Sequence, residues 1–183
     1  GNGKVGINFL EKLQTATPAA LYGAMLAGVD AILMGAGIPR EIPKLMTDFS
    51  QGKPGQLSID SDRPAGMAAP ILEFNPLESF GKAPELPRPA FLAIVTAEVL
   101  ASYLARDEIT RPDGFVVEHF MAGGHNAPPR KLQDTETGYG PKDEANIPKV
   151  ADVGLPFWLA GGRATPESVA DAVALGAEGV QVG

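Results

Sequence analysis

Two stretches of this chain align without a gap: TPAALYGAMLAGVDAILMG, residues 17–35, and TPESVADAVALGAEGVQVG, residues 165–183. Both open on Thr-Pro, share a late glycine (Gly28 and Gly176) and close on an apolar run that ends in glycine. In the first copy Thr17 is placed to cap a helix, and Pro18 fits the first helical position, where its missing N–H costs nothing. Leu21, Tyr22, Met25 and Leu26 would line one face, and Gly28 fits the stop. Each copy therefore reads as one helix followed by one strand. Such units cannot bury their apolar faces alone, so their recurrence favours a wound α/β architecture, and a barrel over an open sheet.

The remaining apolar runs agree. AILMGAG (31–37), FLAIVT (91–96), GFVVEHF (114–120) and PFWLAGG (156–162) carry no polar alternation. That pattern belongs to strands covered on both faces, as in parallel sheets flanked by helices. PREIPKLMTDF (39–49) has helical spacing. Residues 50–90 break the rhythm with Pro, Gly, Asp and Ser and hold two short apolar islands, QLSID (56–60) and APILEF (69–74). They read as an insertion carrying a small hairpin, either a wall of the site or a tolerated surface loop. A second turn-rich stretch, residues 127–148, directly follows a histidine, which favours a lid or substrate wall.

Composition narrows the function. The 183 residues hold no cysteine, which excludes disulfides, zinc–thiolate sites and thiol nucleophiles. A net charge of −7 argues against nucleic acid or an anionic membrane as the main partner. No run approaches the ~20 apolar residues that span a bilayer, and no basic-then-apolar leader opens the chain, so the expected location is cytoplasmic. With two histidines and no thiols, a metal centre is not expected. A Ser-His-Asp hydrolase lacks its Gly-x-Ser-x-Gly elbow.

Three glycine-bearing segments end apolar runs: AGGH (122–125), AGG (160–162) and QVG (181–183). In a (β/α)8 barrel the active site lies at the C-terminal ends of the strands, and the last two loops commonly hold phosphate. Taken singly, each segment reads more readily as a plain tight turn; the two late ones in succession reverse that and favour a phosphate site. His125 is the one candidate general base at a strand end, since imidazole can take and return a proton near neutral pH. His119 sits inside an apolar run and reads as a hydrogen-bonded core histidine.

These segments carry a resemblance. GINFL (6–10), AGGHNAPPR (122–130), GLPFWLAGG (154–162) and ALGAEGVQVG (174–183), in that order, are similar to the nitronate monooxygenase (2-nitropropane dioxygenase) family. LYGAMLAGVDAILMGAGIPREIP (21–43) resembles a longer-chained subgroup. The match spans most of the chain outside residues 50–90. It implies one FMN-binding (β/α)8 TIM-barrel domain over residues 1–183 that oxidises alkyl nitronates or nitroalkanes with O2. On that resemblance His125 is the base at the substrate α-carbon. Asn8, Gly123 and Gly124 adjoin the flavin, while Ala160, Gly161, Gly162, Gln181 and Gly183 match the phosphate-binding turns.

Two departures stand out. Glu118-His119-Phe120-Met121 replaces the small residues that usually precede Ala-Gly-Gly-His, and this bulk could narrow the pocket. The chain is also short beside the ~250 residues of a typical barrel. On the family pattern the first two βα units and the last helix are absent, so the sequence reads as part of a longer protein. Uncovered strand edges and helix faces would favour aggregation or homo-oligomers. Two alternatives stay open: an FMN-dependent enoyl-acyl-carrier-protein reductase, which shares Ala-Gly-Gly-His, and a non-catalytic flavin-binding remnant.

Overall fold

The computed structural model describes residues 3–183, which form two compact units divided after Phe91. The first unit opens with strand β1 (Gly6–Leu10), helix α1 (Thr17–Leu26), strand β2 (Ala31–Gly35) and helix α2 (Ile42–Ser50). β1 and β2 pair in parallel, with Asn8 opposite Leu33. Ile32 and Met34 of β2 are fully buried, as are Leu21, Met25, Leu45, Met46 and Phe49 from the two helices. Burial of this kind contributes roughly 1.5–3 kcal/mol per large apolar side chain.

The helix-strand reading of residues 17–35 is borne out, with two corrections. Thr17 is not the N-cap: a 3-10 turn (Gln14–Ala16) runs straight into α1, so Ala16 holds that position. The Thr17 hydroxyl instead donates to Leu13 O at 3.0 Å. In the second copy no such turn precedes the helix, and Thr165 does cap it, accepting from Ser168 N. Leu26, expected on the buried face, is 48% exposed in the last turn of α1. The second predicted helix begins at Ile42, three residues after Pro39.

Residues 50–90 do contain the hairpin. Strands β3 (Gly55–Ser58) and β4 (Ile71–Phe74) pair antiparallel, and the short helix α3 (Pro76–Phe80) follows. Glu41 fastens the hairpin to the start of α2, its carboxylate accepting from Ser58 N at 2.9 Å and Ser58 Oγ at 3.0 Å. A Cβ on Gly55 would lie 2.2 Å from Leu45 Cδ1 and 2.7 Å from Phe49 Cε1, so only glycine lets β3 seat on the helix. Tyr22, Phe49, Phe74 and Phe80 then form one aromatic cluster with centroid separations of 5.4 to 6.4 Å.

The second unit is a run of strand-helix pairs. Strand β5 (Ala90–Val95) straddles the division and leads to α4 (Glu98–Leu104), then β6 (Gly114–Glu118), α5 (Ile147–Ala151), β7 (Phe157–Ala160), α6 (Pro166–Ala174) and β8 (Gly179–Gln181). β5 through β8 pair in parallel, each with the next. Phe115, Val116 and Val117 are buried on successive positions of β6. That is the burial predicted from the unbroken apolar run. β6 ends at Glu118, two residues earlier than the run itself. No helix among the described residues is long and apolar enough to cross a membrane.

Candidate active site

Parallel pairing sends the C-terminal ends of β6, β7 and β8 to the same edge of the second unit. Glu118 stands opposite Ala160, and Ala160 opposite Gln181. Residues Gly123, Gly124, His125, Ala160, Gly161, Gly162, Gln181 and Gly183 therefore lie at or just beyond three neighbouring strand ends. Asn8 lies in the other unit, on β1, with an exposed side chain.

The exits of β6 and β7 are joined to each other. His119 N donates to Ala160 O at 3.0 Å, and the chain then folds back so that Ala122 N donates to His119 O at 2.9 Å. Gly161 is what permits this contact. Its φ is +95°, and a Cβ there would meet Ala122 N at 2.9 Å, His119 Cβ at 3.0 Å and His119 O at 3.1 Å. The glycine expected from sequence to admit a phosphate thus also admits the neighbouring turn.

Beyond that crossing the backbone is open. Gly124 has φ +94° and Gly162 has φ +66°, conformations that glycine adopts without steric cost. A Cβ on Gly123 or Gly124 would meet nothing within 4 Å, and one on Gly162 only Met121 Cβ at 4.0 Å. Among the described residues, none accepts from the backbone N–H groups of Gly123 to His125 or of Gly161 to Ala164. Two runs of unsatisfied donors at adjacent strand ends suit an anion such as phosphate, and the second run leads into the N-terminus of α6. This edge therefore fits the phosphate and bare-backbone requirements of a bound flavin nucleotide.

His125 is exposed, and its imidazole makes no hydrogen bond or ring contact with the described residues. Nothing in this unit blocks it from a small molecule. His119 is not the core histidine expected from the apolar run. It occupies the turn after β6 with its side chain 30% exposed, and Nδ1 accepts from Met121 N at 3.2 Å. That bond leaves the proton of the neutral ring on Nε2, which lies 3.8 Å from Glu144 Oε1.

The turn-rich stretch after the histidine is ordered by its own contacts. Phe120 stacks on Tyr139 at 4.9 Å with an interplanar angle of 5°, and Tyr139 Oη donates to Ala127 O at 2.8 Å. Asp143 accepts from Arg130 N at 2.8 Å and Gly140 N at 2.9 Å, which holds its carboxyl below the usual range. Glu98, at the start of α4, accepts from Asn146 N at 3.2 Å and is lowered chiefly by that bond. Phe120, read from sequence only as bulk near the pocket, is the residue on which this loop is stacked.

Glu118 has no role assignable from its spacing, yet among the described residues it is the one carboxyl raised above its ordinary value, by burial at the end of β6. Its carboxylate forms no hydrogen bond or ion pair with the described residues. Its sequence signals were a charge inside an otherwise apolar run and its place in the Glu118–Met121 departure from the family pattern. No cluster of potential metal ligands occurs among the described residues.

No protein-family model and no curated protein matches the sequence. Solved structures do. The chain is similar along its whole length to a FabK mutant from Thermotoga maritima, with a TM-score of 0.57, 20% identity and 44% of that chain covered. It is likewise similar to nitroalkane oxidase from Streptomyces ansochromogenes, with a TM-score of 0.54, 16% identity, 100% of this chain and 50% of that chain covered. The chain thus spans half, or less, of the length of these structures. At such identities the likeness speaks for fold: a parallel α/β chain wound as a segment of theirs is.

Proposed function

We propose that this chain is the histidine-bearing part of an FMN-dependent (β/α)8 oxidoreductase that oxidises nitroalkanes or alkyl nitronates with O2. The observation that carries the reading is the edge of the second unit. There an unencumbered imidazole, His125, shares the exits of β6 and β7 with two runs of unpartnered backbone donors. The order of these segments resembles nitronate monooxygenases, and one of the solved structures of similar fold is a nitroalkane oxidase.

The donors of Gly161 to Ala164, with Gln181 at the end of β8 and Gly183 just beyond it, would hold the phosphate. Gly123 and Gly124 leave room for a ring system against the backbone. FMN supplies an electron acceptor that passes electrons on to O2. His125 takes the α-proton of a nitroalkane on a ring nitrogen as the C–H bond breaks, leaving the electron pair in the nitronate. General-base catalysis of this kind contributes about 10²–10⁴-fold.

The test is oxygen consumption with a nitroalkane or its nitronate, without nicotinamide, in the full-length protein carrying FMN. Substituting His125→Ala should abolish turnover of the nitroalkane while flavin remains bound. Turnover that requires a reduced nicotinamide and an enoyl thioester would favour an enoyl reductase instead. Bound flavin with neither activity would mark a non-catalytic protein.

A further inference from the structure

His125 is followed by Asn126, whose side chain reaches back over the turn. Its Nδ2 donates to Phe120 O and to Ala122 O, both at 2.9 Å. Two carbonyl partners fix which way the amide faces, since neither can donate. Oδ1 is thereby turned to the other side, where it is buried and has no partner. A buried acceptor left this way costs about 1–3 kcal/mol, enough to offset much of what the two bonds contribute. Asparagine is therefore a poor choice for stability alone.

What the two bonds do is geometric. They join the backbone before the glycine pair to the residue after the histidine, so that Gly123, Gly124 and His125 lie inside a closed ring. Glycine has the greatest backbone freedom of any residue. Neither Gly123 nor Gly124 is within 4 Å of anything that would confine a side chain. Without a brace, the imidazole would stand on a hinge, and a 1 Å misplacement of a reacting group can cost about 10²-fold in rate.

We infer that Asn126 is the positioning residue of this site: bridging Phe120 and Ala122, its amide closes the glycine loop into a ring and sets the direction from which His125 meets its substrate. The inference rests on the reading of His125 as the base. It extends that reading to a residue that acts through the loop it braces.

Asn126→Leu and Asn126→Asp in the full-length, FMN-loaded protein test it. Leucine removes the stranded acceptor together with both donors, so the melting temperature should stay within a few degrees of wild type. Aspartate places a carboxylate against two carbonyl oxygens and opens the ring by repulsion. Both variants should lose about tenfold or more in kcat with the substrate KM and flavin affinity little changed. Backbone order parameters of Gly123 to His125 should also fall, with or without flavin. Unaltered kcat and order parameters in both variants, alongside an inactive His125→Ala control, would overturn the positioning role by itself. An active His125→Ala protein would overturn the base assignment, and the inference with it.

Discussion

Phe120 and Tyr139 lie parallel, 4.9 Å apart, and join the turn after β6 to the middle of the long loop that follows it. Tyr139 also donates its hydroxyl to Ala127, so one side chain grips both ends of the loop's first half. Replacing Tyr139 by Ala should remove about 0.5–1.5 kcal/mol of ring contact and a comparable hydrogen-bond contribution. Proteolysis is the direct readout: cleavage between residues 127 and 146 should accelerate well before global unfolding. Equal protection in the variant and the parent would show that the stack does not order the loop.

Acid should loosen the same segment. Asp143 accepts two backbone amides, and these hold its carboxyl below the ordinary value. A depressed folded-state pKa means that the contribution is present above the unfolded carboxylate pKa, near ~3.9, and is lost as pH falls through the lower folded value. Hydrogen exchange at Arg130 and Gly140, corrected for intrinsic rates, should therefore rise below about pH 4. Asp143→Asn should show the raised exchange already at neutral pH.

Glu118 has the opposite sign. Burial raises its carboxyl, so ionisation works against the folded state, and folding is favoured more as pH falls below the raised value. Glu118→Gln should raise the melting temperature by a few degrees at pH 8 and leave it nearly unchanged at pH 4. A gain of equal size at both pH values would assign the effect to packing rather than charge.

Gly161 and Gly123 should behave differently although sequence presents them alike. At Gly161 an alanine Cβ meets backbone at 2.9 Å with φ at +95°, so roughly 1–3 kcal/mol of destabilisation is expected. At Gly123 the space is open and the φ is not positive, so Gly123→Ala should stay within about 0.5 kcal/mol in the ligand-free protein. Chemical denaturation of the two variants side by side decides it. If both fall equally, the crossing of the β6 and β7 exits is not what Gly161 serves.

The strands were legible because burial on both faces leaves an apolar run with no alternation: β2, β6 and β7 each fall within such a run, and β5 starts one residue before its own. The hairpin was legible as two apolar islands in a turn-rich stretch. Thr17 misled because capping depends on the residues before it, and a 3-10 turn there is written in no single residue type. Leu26 misled for a similar reason: helical period places it on the face, but the last turn of α1 extends past what covers it. His119 was assigned to the core because the apolar run continues through Phe120, whereas the strand stops where Gly161 lets the chain turn. Asn126 left no trace, since its bonds go to backbone carbonyls, which every residue possesses.

The hairpin of residues 55–74 alters what its neighbours are free to be. Helix α1 carries apolar side chains around most of its circumference, and Tyr22 would be a liability in a helix that faced water. It is 1% exposed because Phe74 and Phe80 close over it, with Phe49 of α2 beside them. Glycine at position 55 is needed for the same fit. The cover and the covered are thus a single inheritance. A descendant that discarded the hairpin would have to trade Tyr22 and Phe49 for polar residues in the same stroke, and until it did, it would present a sticky aromatic surface to every other copy of itself.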